Sequence, residues 1–205
     1  MAARHEARTP PVPPTAETPP FDPEVLRRAQ TGDEAAFGAL MKAHYEASFR
    51  LVYSIVRHDH DARDVCQEVW LTVWRELPKF RGDAKFSTWL HSITVRRALD
   101  HLRKRRRWYD RFLPFDSGDA AIAAAPEPVT PDDPRAEAEG DERRARIQQR
   151  VQTLPPKLRA VLALREIQGL SYDEIARAVG IPPGTVMSRL YHARHLLAKK
   201  LEKNP

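Results

Sequence analysis

From Phe37 onward, apolar residues return at intervals of three and four: Leu40, Met41, Tyr45, Val52, Ile55 and Val56. Such spacing predicts a long amphipathic helix opening at Asp33 and bending near Ser48. A shorter helix before it, reaching Gln30, is signalled by Asp22 as N-cap and Pro23 at the first helical position. The next stripe is Ala62, Val65, Cys66, Val69, Val73 and Leu77. It predicts a helix over 62–77, stopped by Pro78, with His58 to Asp61 in the turn that precedes it. A third stripe through Leu90, Ile93, Ala98, Leu99 and Leu102 predicts a helix from Thr88, capped by Ser87.

Periodicity then disappears. The stretch 116–142 is rich in Ala, Pro, Asp and Glu, and Arg135 is its one cation. So few apolar anchors predict a flexible acidic linker, which either keeps the flanking modules apart or occupies a basic channel in a partner. Helical spacing resumes near Asp141 and runs to Gln152. Pro155-Pro156 opens a further helix with Leu158, Val161, Leu162 and Leu164 inward, ended by Gly169. Ser171-Tyr172-Asp173-Glu174 has the form of a capping box at the head of a short helix that stops at Gly180. A longer helix from Gly184 buries Val186, Leu190, Ala193 and Leu197, leaving Thr185, Ser188, Arg189, His192 and His195 outward. The expected fold is all-α: two small helical domains, 22–110 and 141–202, joined by a flexible acidic linker over 111–140. The second is a helix-turn-helix. Residues 1–21, Pro-rich with nothing to bury, are expected to be a disordered extension.

Composition narrows the function. A net charge of +6 over 205 residues favours a polyanionic partner. Cys66, the only cysteine, falls on an inward stripe, which excludes a disulfide framework and points to a reducing compartment. No signal peptide or apolar run of membrane-spanning length is present, so a cytoplasmic location without membrane insertion is expected. Phosphate loops, metal-ligand clusters and nucleophile–base pairs are missing too, and neither an enzyme nor a cofactor or metal is expected. His192 and His195 lack a third ligand, and the His58–Asp61 tract reads as a solvated turn.

Three segments carry candidate chemistry. The outer face of the 62–77 helix, with Asp64, Gln67, Glu68 and Leu71 and with Asp61 ahead of it, complements the helix dipole or receives a basic protein surface. Phe80, Arg81, Lys85 and Phe86 flank a turn at Gly82. Their rings either plug the core or stack on unpaired bases while the cations follow the backbone. Arg96, Arg97 and the run Arg103 to Arg107, with Asp100 among them, exceed what helix capping requires and suit phosphates. On the last helix, Ser188 and Arg189 stand where a major groove is read.

Two segments resemble one family. DARDVCQEVWLTVW and FRGDAKFSTWLHSITVRRALDHLRKRRR are similar to region 2 of the extracytoplasmic-function sigma factors, small members of the bacterial sigma-70 family. LPPKLRAVLALREIQGLSYDEIARAVGIPPGTVMSRLYHARHLL is similar to their region 4. The resemblance implies a promoter-specificity subunit of bacterial RNA polymerase. Asp61, Asp64, Gln67, Glu68 and Leu71 would dock on the β′ coiled coil of the core enzyme. Phe80, Arg81, Lys85 and Phe86 would capture a flipped base of the −10 element, and Arg96, Arg97, Asp100 and Arg103 would hold the neighbouring strand. Thr185, Met187, Ser188, Arg189, Tyr191, His192 and Arg194 would read the −35 element, with the apolar side of region 4 on the β flap. An anti-sigma factor would be the restraining partner. Pro182 departs from the family pattern, standing where members often carry a capping Ser or Thr. A helix-turn-helix regulator acting without core polymerase is the rival reading, and it leaves the aromatic-basic loop and the acidic face without a task.

Overall fold

The computed structural model describes residues 22–112 and 149–202, and every regular element among them is helical. The expected Pro-rich extension, nearly all of the linker and the start of the helix near Asp141 lie outside the described residues. α1 (Pro23–Gln30) opens as its sequence dictates: Asp22 Oδ1 accepts the Glu24 amide at 2.9 Å, and Pro23 occupies the first position, where no N–H is needed. α2 (Glu34–Val56) is capped by Asp33, which accepts from the Ala36 amide at 3.0 Å. It ends at Arg57, whose φ of 65° turns the chain sharply without a glycine.

α3 (Asp59–Glu76) begins three residues before its expected start at Ala62. His58 is responsible. Its Nδ1 accepts the Asp61 amide at 3.3 Å, so an imidazole caps the helix, and Asp59, His60 and Asp61 lie in the first turn. A 3-10 turn over Leu77–Lys79 follows, and Gln30 of α1 donates to the Phe80 carbonyl just beyond it at 2.7 Å. α4 (Phe86–Phe112) also starts early, at Phe86, which places Ser87 inside the helix instead of at its cap and carries the helix past the expected boundary at 110. After helical residues 149–152 come α5 (Pro156–Glu166), α6 (Tyr172–Val179) and α7 (Pro183–Glu202). The Ser171–Glu174 capping box is formed on both arms, and Gly180 closes α6 at φ 69°. At the departure Pro182, its carbonyl accepts the Thr185 amide at 2.9 Å, so backbone replaces the side-chain cap of α7, which starts at Pro183 instead of Gly184.

Leu40, Leu51, Val52, Ile55, Val65, Val69, Val73 and Leu77 are fully enclosed where α2 and α3 meet α4. Each such side chain contributes roughly 1.5–3 kcal/mol by leaving water. Val161, Leu164, Ile175, Val186, Leu190 and Ala193 do the same between α5, α6 and α7. The two halves do not stand apart. α2 packs on α5 and α4 on α6, so one continuous core runs through both. Two glycines offer a test of how backbone conformation sets sign. Gly180→Ala, at positive φ with open space around the new methyl, is expected to lower stability by about 1 kcal/mol. Gly38→Ala, inside α2 with equally open space, is expected to raise it by roughly 0.5–1 kcal/mol. Urea unfolding of both variants measures the difference.

Candidate protein and nucleic-acid interfaces

The outward face of α3 follows from its spacing. Val65, Cys66, Val69 and Val73 are buried, which turns Asp64, Gln67 and Glu68 into solvent with Leu71, an apolar side chain 61% exposed among polar neighbours. Asp64 Oδ2 lies 3.2 Å from His60 Nδ1. Asp61 is placed differently from the other four. It turns toward α4, where its Oδ2 lies 2.6 Å from Arg105 Nη1 and 3.4 Å from His101 Nε2. Burial works to raise its pKa, but the hydrogen bond and charge of His101, with His58 and Arg105, outweigh it and hold the carboxyl below its ordinary range. Cys66 is enclosed, and burial pushes its thiol up to about 11, which suits packing and not redox chemistry.

In the loop before α4 the two phenylalanines take different places. Phe86 is buried against the His44 ring at 5.2 Å, while Phe80 is half-buried, 5.1 Å from Trp89 and 6.1 Å from Phe86. Arg81 and Lys85 are exposed on either side of Gly82. A half-buried ring with flanking cations has the composition of a platform for an unstacked base. Along α4, Arg96 and Arg103 are exposed and Arg97 and Asp100 are half-buried, with Arg103 bonded to Asp100. Lys104, Arg106 and Arg107 are exposed, whereas Arg105 is engaged by Asp61.

On α7 the buried seam of Val186, Leu190 and Ala193 leaves Met187, Ser188, Tyr191, His192, Arg194 and His195 exposed, with Thr185 and Arg189 half-buried. Tyr191, 67% exposed, lies parallel to the His195 ring at 6.1 Å. Arg194 is the exception on this face. Its Nη2 lies 2.8 Å from Glu166 Oε1, which ties α7 to α5. Sequence reasoning did not single out Gln168, His44 or His91, polar residues that the fold brings together between the halves. No helix among the described residues is long and apolar enough to cross a membrane, and no group of three His, Cys, Asp or Glu among them could hold a metal ion.

The geometry therefore shows a helical protein with one exposed acidic-apolar helix face, one basic helix end beside an aromatic loop, and one helix-turn-helix. Known proteins agree. Residues 40–108 match the family model for Sigma-70 region 2, and residues 144–197 match that for Sigma-70, region 4. The RNA polymerase sigma-H factor of Pseudomonas aeruginosa is 36% identical over 187 residues, covering 88% of this chain and 94% of that one. The ECF RNA polymerase sigma-E factor of Escherichia coli K12 is 32% identical over 183 residues, with 88% and 94% covered. Among solved structures, CnrH in complex with the cytosolic domain of CnrY superposes with a TM-score of 0.62 at 22% identity, covering 89% of this chain and 97% of that one. The Bartonella quintana sigma factor RpoE, in complex with the anti-sigma factor NepR, gives 0.64 at 20% identity, with 82% and 98% covered. These two likenesses speak for the fold. The chain belongs to the extracytoplasmic-function branch of the sigma-70 family. Its task is that of a sigma factor: to bind core RNA polymerase and direct promoter recognition, strand opening and transcription initiation.

The Asp61–Arg105 pair bridges α3 and α4. A carboxyl whose folded pKa is depressed stabilises the fold above its ordinary value and loses that contribution as pH falls through the folded value. Asp61→Asn is therefore expected to lower the urea midpoint at pH 7, and the gap to the parent is expected to close as pH falls below the ordinary 3.8. Equal midpoints at neutral pH would show the bridge to be idle.

Proposed function

We propose that the two halves divide promoter engagement between them, each through the side chains its fold leaves outside. Asp64, Gln67, Glu68 and Leu71 dock on the β′ coiled coil of core polymerase, with Asp61 behind them as an anchor to α4. Support comes from their common exposure on one side of α3, where an apolar residue sits among acids. Charge at the rim steers encounter, and the leucine provides the desolvated centre. Phe80, Arg81 and Lys85 engage the displaced −10 strand, Phe86 braces Phe80 from below, and Arg96, Arg97 and Arg103 follow the neighbouring phosphates with Asp100 positioning Arg103. Opening a duplex costs about 1.4 kcal/mol per base-pair step, so several exposed bases must be held to offset it.

Region 4 reads the −35 element through Thr185, Met187, Ser188, Arg189, Tyr191 and His192, with Arg194 orienting α7 through Glu166, and its apolar side meets the β flap. Hydroxyl and guanidinium donors address base edges, while Met187 and Tyr191 supply apolar contact such as a thymine methyl accepts. The protein acts by binding, not by catalysis, in the cytoplasm where the polymerase works. An anti-sigma factor restrains it. The CnrH and RpoE structures each hold a partner of this kind or a partner's cytosolic domain, which supports that assignment.

The observation that carries the reading is the presence of both family segments, in order, in one chain, with the proposed contact residues lying inside those segments. Run-off transcription tests it. The purified chain is expected to confer promoter-dependent transcripts on core polymerase across a genomic fragment library, and an empty library with active core would refute it. Joint replacement of Asp64 and Glu68 by lysine is expected to abolish core association in a pull-down with the helical signal in circular dichroism unchanged.

A further inference from the structure

The turn after α5 abuts the other half of the molecule. There Gln168 donates its Nε2–H to the Ala47 carbonyl of α2 at 3.3 Å, and its side chain also hydrogen-bonds His91 of α4. The surrounding seam is buried but polar. His44, Ser48, His91 and Thr94 are all buried, and the hydroxyls of Ser48 and Thr94 bond back to carbonyls of their own helices. His91, 8% exposed, has no partner for Nδ1. At the rim Lys85 Nζ lies 3.9 Å from Glu174 Oε1, so a cation of the strand-binding loop faces region 4. Elsewhere on the seam the Nε atoms of Arg57 and Arg159 are buried without acceptors.

This closed packing conflicts with the promoter reading given above, on which the inference rests. Elements centred at −10 and −35 lie about 25 base pairs apart, roughly 85 Å at ~3.4 Å per pair. Halves joined through one core do not span that distance. We propose that Gln168, seated between Ala47 of α2 and His91 of α4, latches the chain in a closed form unable to span a promoter, and that mild acid releases the latch.

The chemistry follows from what surrounds the imidazole. Burial pushes His91 down to about 4, with Gln168 and the Glu174 carboxylate of α6 pulling upward and His44 of α2 adding to the fall. His44 is itself held below its ordinary value by burial. Lys85 answers Glu174 at the rim, and Glu174 stays ionised through this range because hydrogen bonds from Ser171 and the Lys85 charge outweigh its burial. In the open form His91 meets water and returns toward its ordinary 6.5. Closing thus demands a neutral ring. The closed form is fully favoured above pH 6.5 and loses ground as pH falls from there toward 4. Between pH 7.5 and 5, linkage through His91 alone lowers the closed-to-open ratio about 25-fold. His44 acts in the same direction.

Small-angle scattering of the full chain tests the latch without DNA or polymerase. The parent is expected to be compact at pH 7.5 and to expand at pH 5, while His91→Gln, which keeps only the smaller push from His44, expands clearly less at pH 5. Gln168→Ala is expected to be expanded already at pH 7.5 and to associate with core polymerase severalfold faster than the parent. An unchanged parent radius, or equal expansion of His91→Gln, overturns the proposal. Should His91→Gln lose its helical signal, Gln168→Ala decides alone: parental radius and parental association rate at pH 7.5 would overturn it. Expansion of Gln168→Ala with no run-off transcript from any variant, parent included, would uphold the latch and remove the promoter reading instead.

Discussion

One wall of α4 holds the molecule together. Thr88, Leu90, His91, Thr94, Val95 and Ala98 are buried along it, and α2, α3, α5 and α6 all rest against that helix. Because its inner side is occupied from several directions, the helix has no freedom to roll. Its outer side therefore presents Arg96 and Arg103 at set positions, and the Asp61–Arg105 bridge fixes the far end. A basic surface on a rigid element meets phosphates with little ordering entropy left to lose. The same anchoring explains why α3 shows a clean acidic-apolar face, since Val65, Val69 and Val73 are fully spent on the core.

Most of the architecture was legible because it is local. Helical spacing, the Asp22 cap, the Ser171 capping box and the Gly180 stop are decided within a few residues, and each is found where the pattern places it. The errors in helix starts have equally local causes that propensity rules rank low. Histidine is not a favoured cap, yet His58 Nδ1 accepts the Asp61 amide and draws α3 back to Asp59. At α4 the backbone serves: the Lys85 carbonyl accepts the Trp89 amide, and Ser87 is not needed as a cap.

What stayed hidden depends on contacts between distant residues. Asp61 reads as one more acid on a docking face until Arg105, far along the chain, is seen to hold it. The two readings of the phenylalanine loop could not be separated from the loop alone, because what encloses Phe86 is His44, on another helix. Gln168 follows a helix end in the sequence and has every mark of a solvated turn residue. Only the packing of α5 on α2 carries it under cover.

That hidden seam is built from groups that a stable interface would avoid. An unpartnered His91 Nδ1 and two buried guanidinium Nε atoms each forgo a hydrogen bond that water would supply on opening. A sealed apolar joint at this place would work against the protein. A partner that binds only the open form sees its apparent affinity reduced by the fraction of chain that is open, about tenfold for every 1.4 kcal/mol by which the closed form is favoured. Core polymerase and promoter together can shift the balance only by their preference for the open form. Incomplete polar satisfaction keeps the closed state within that reach.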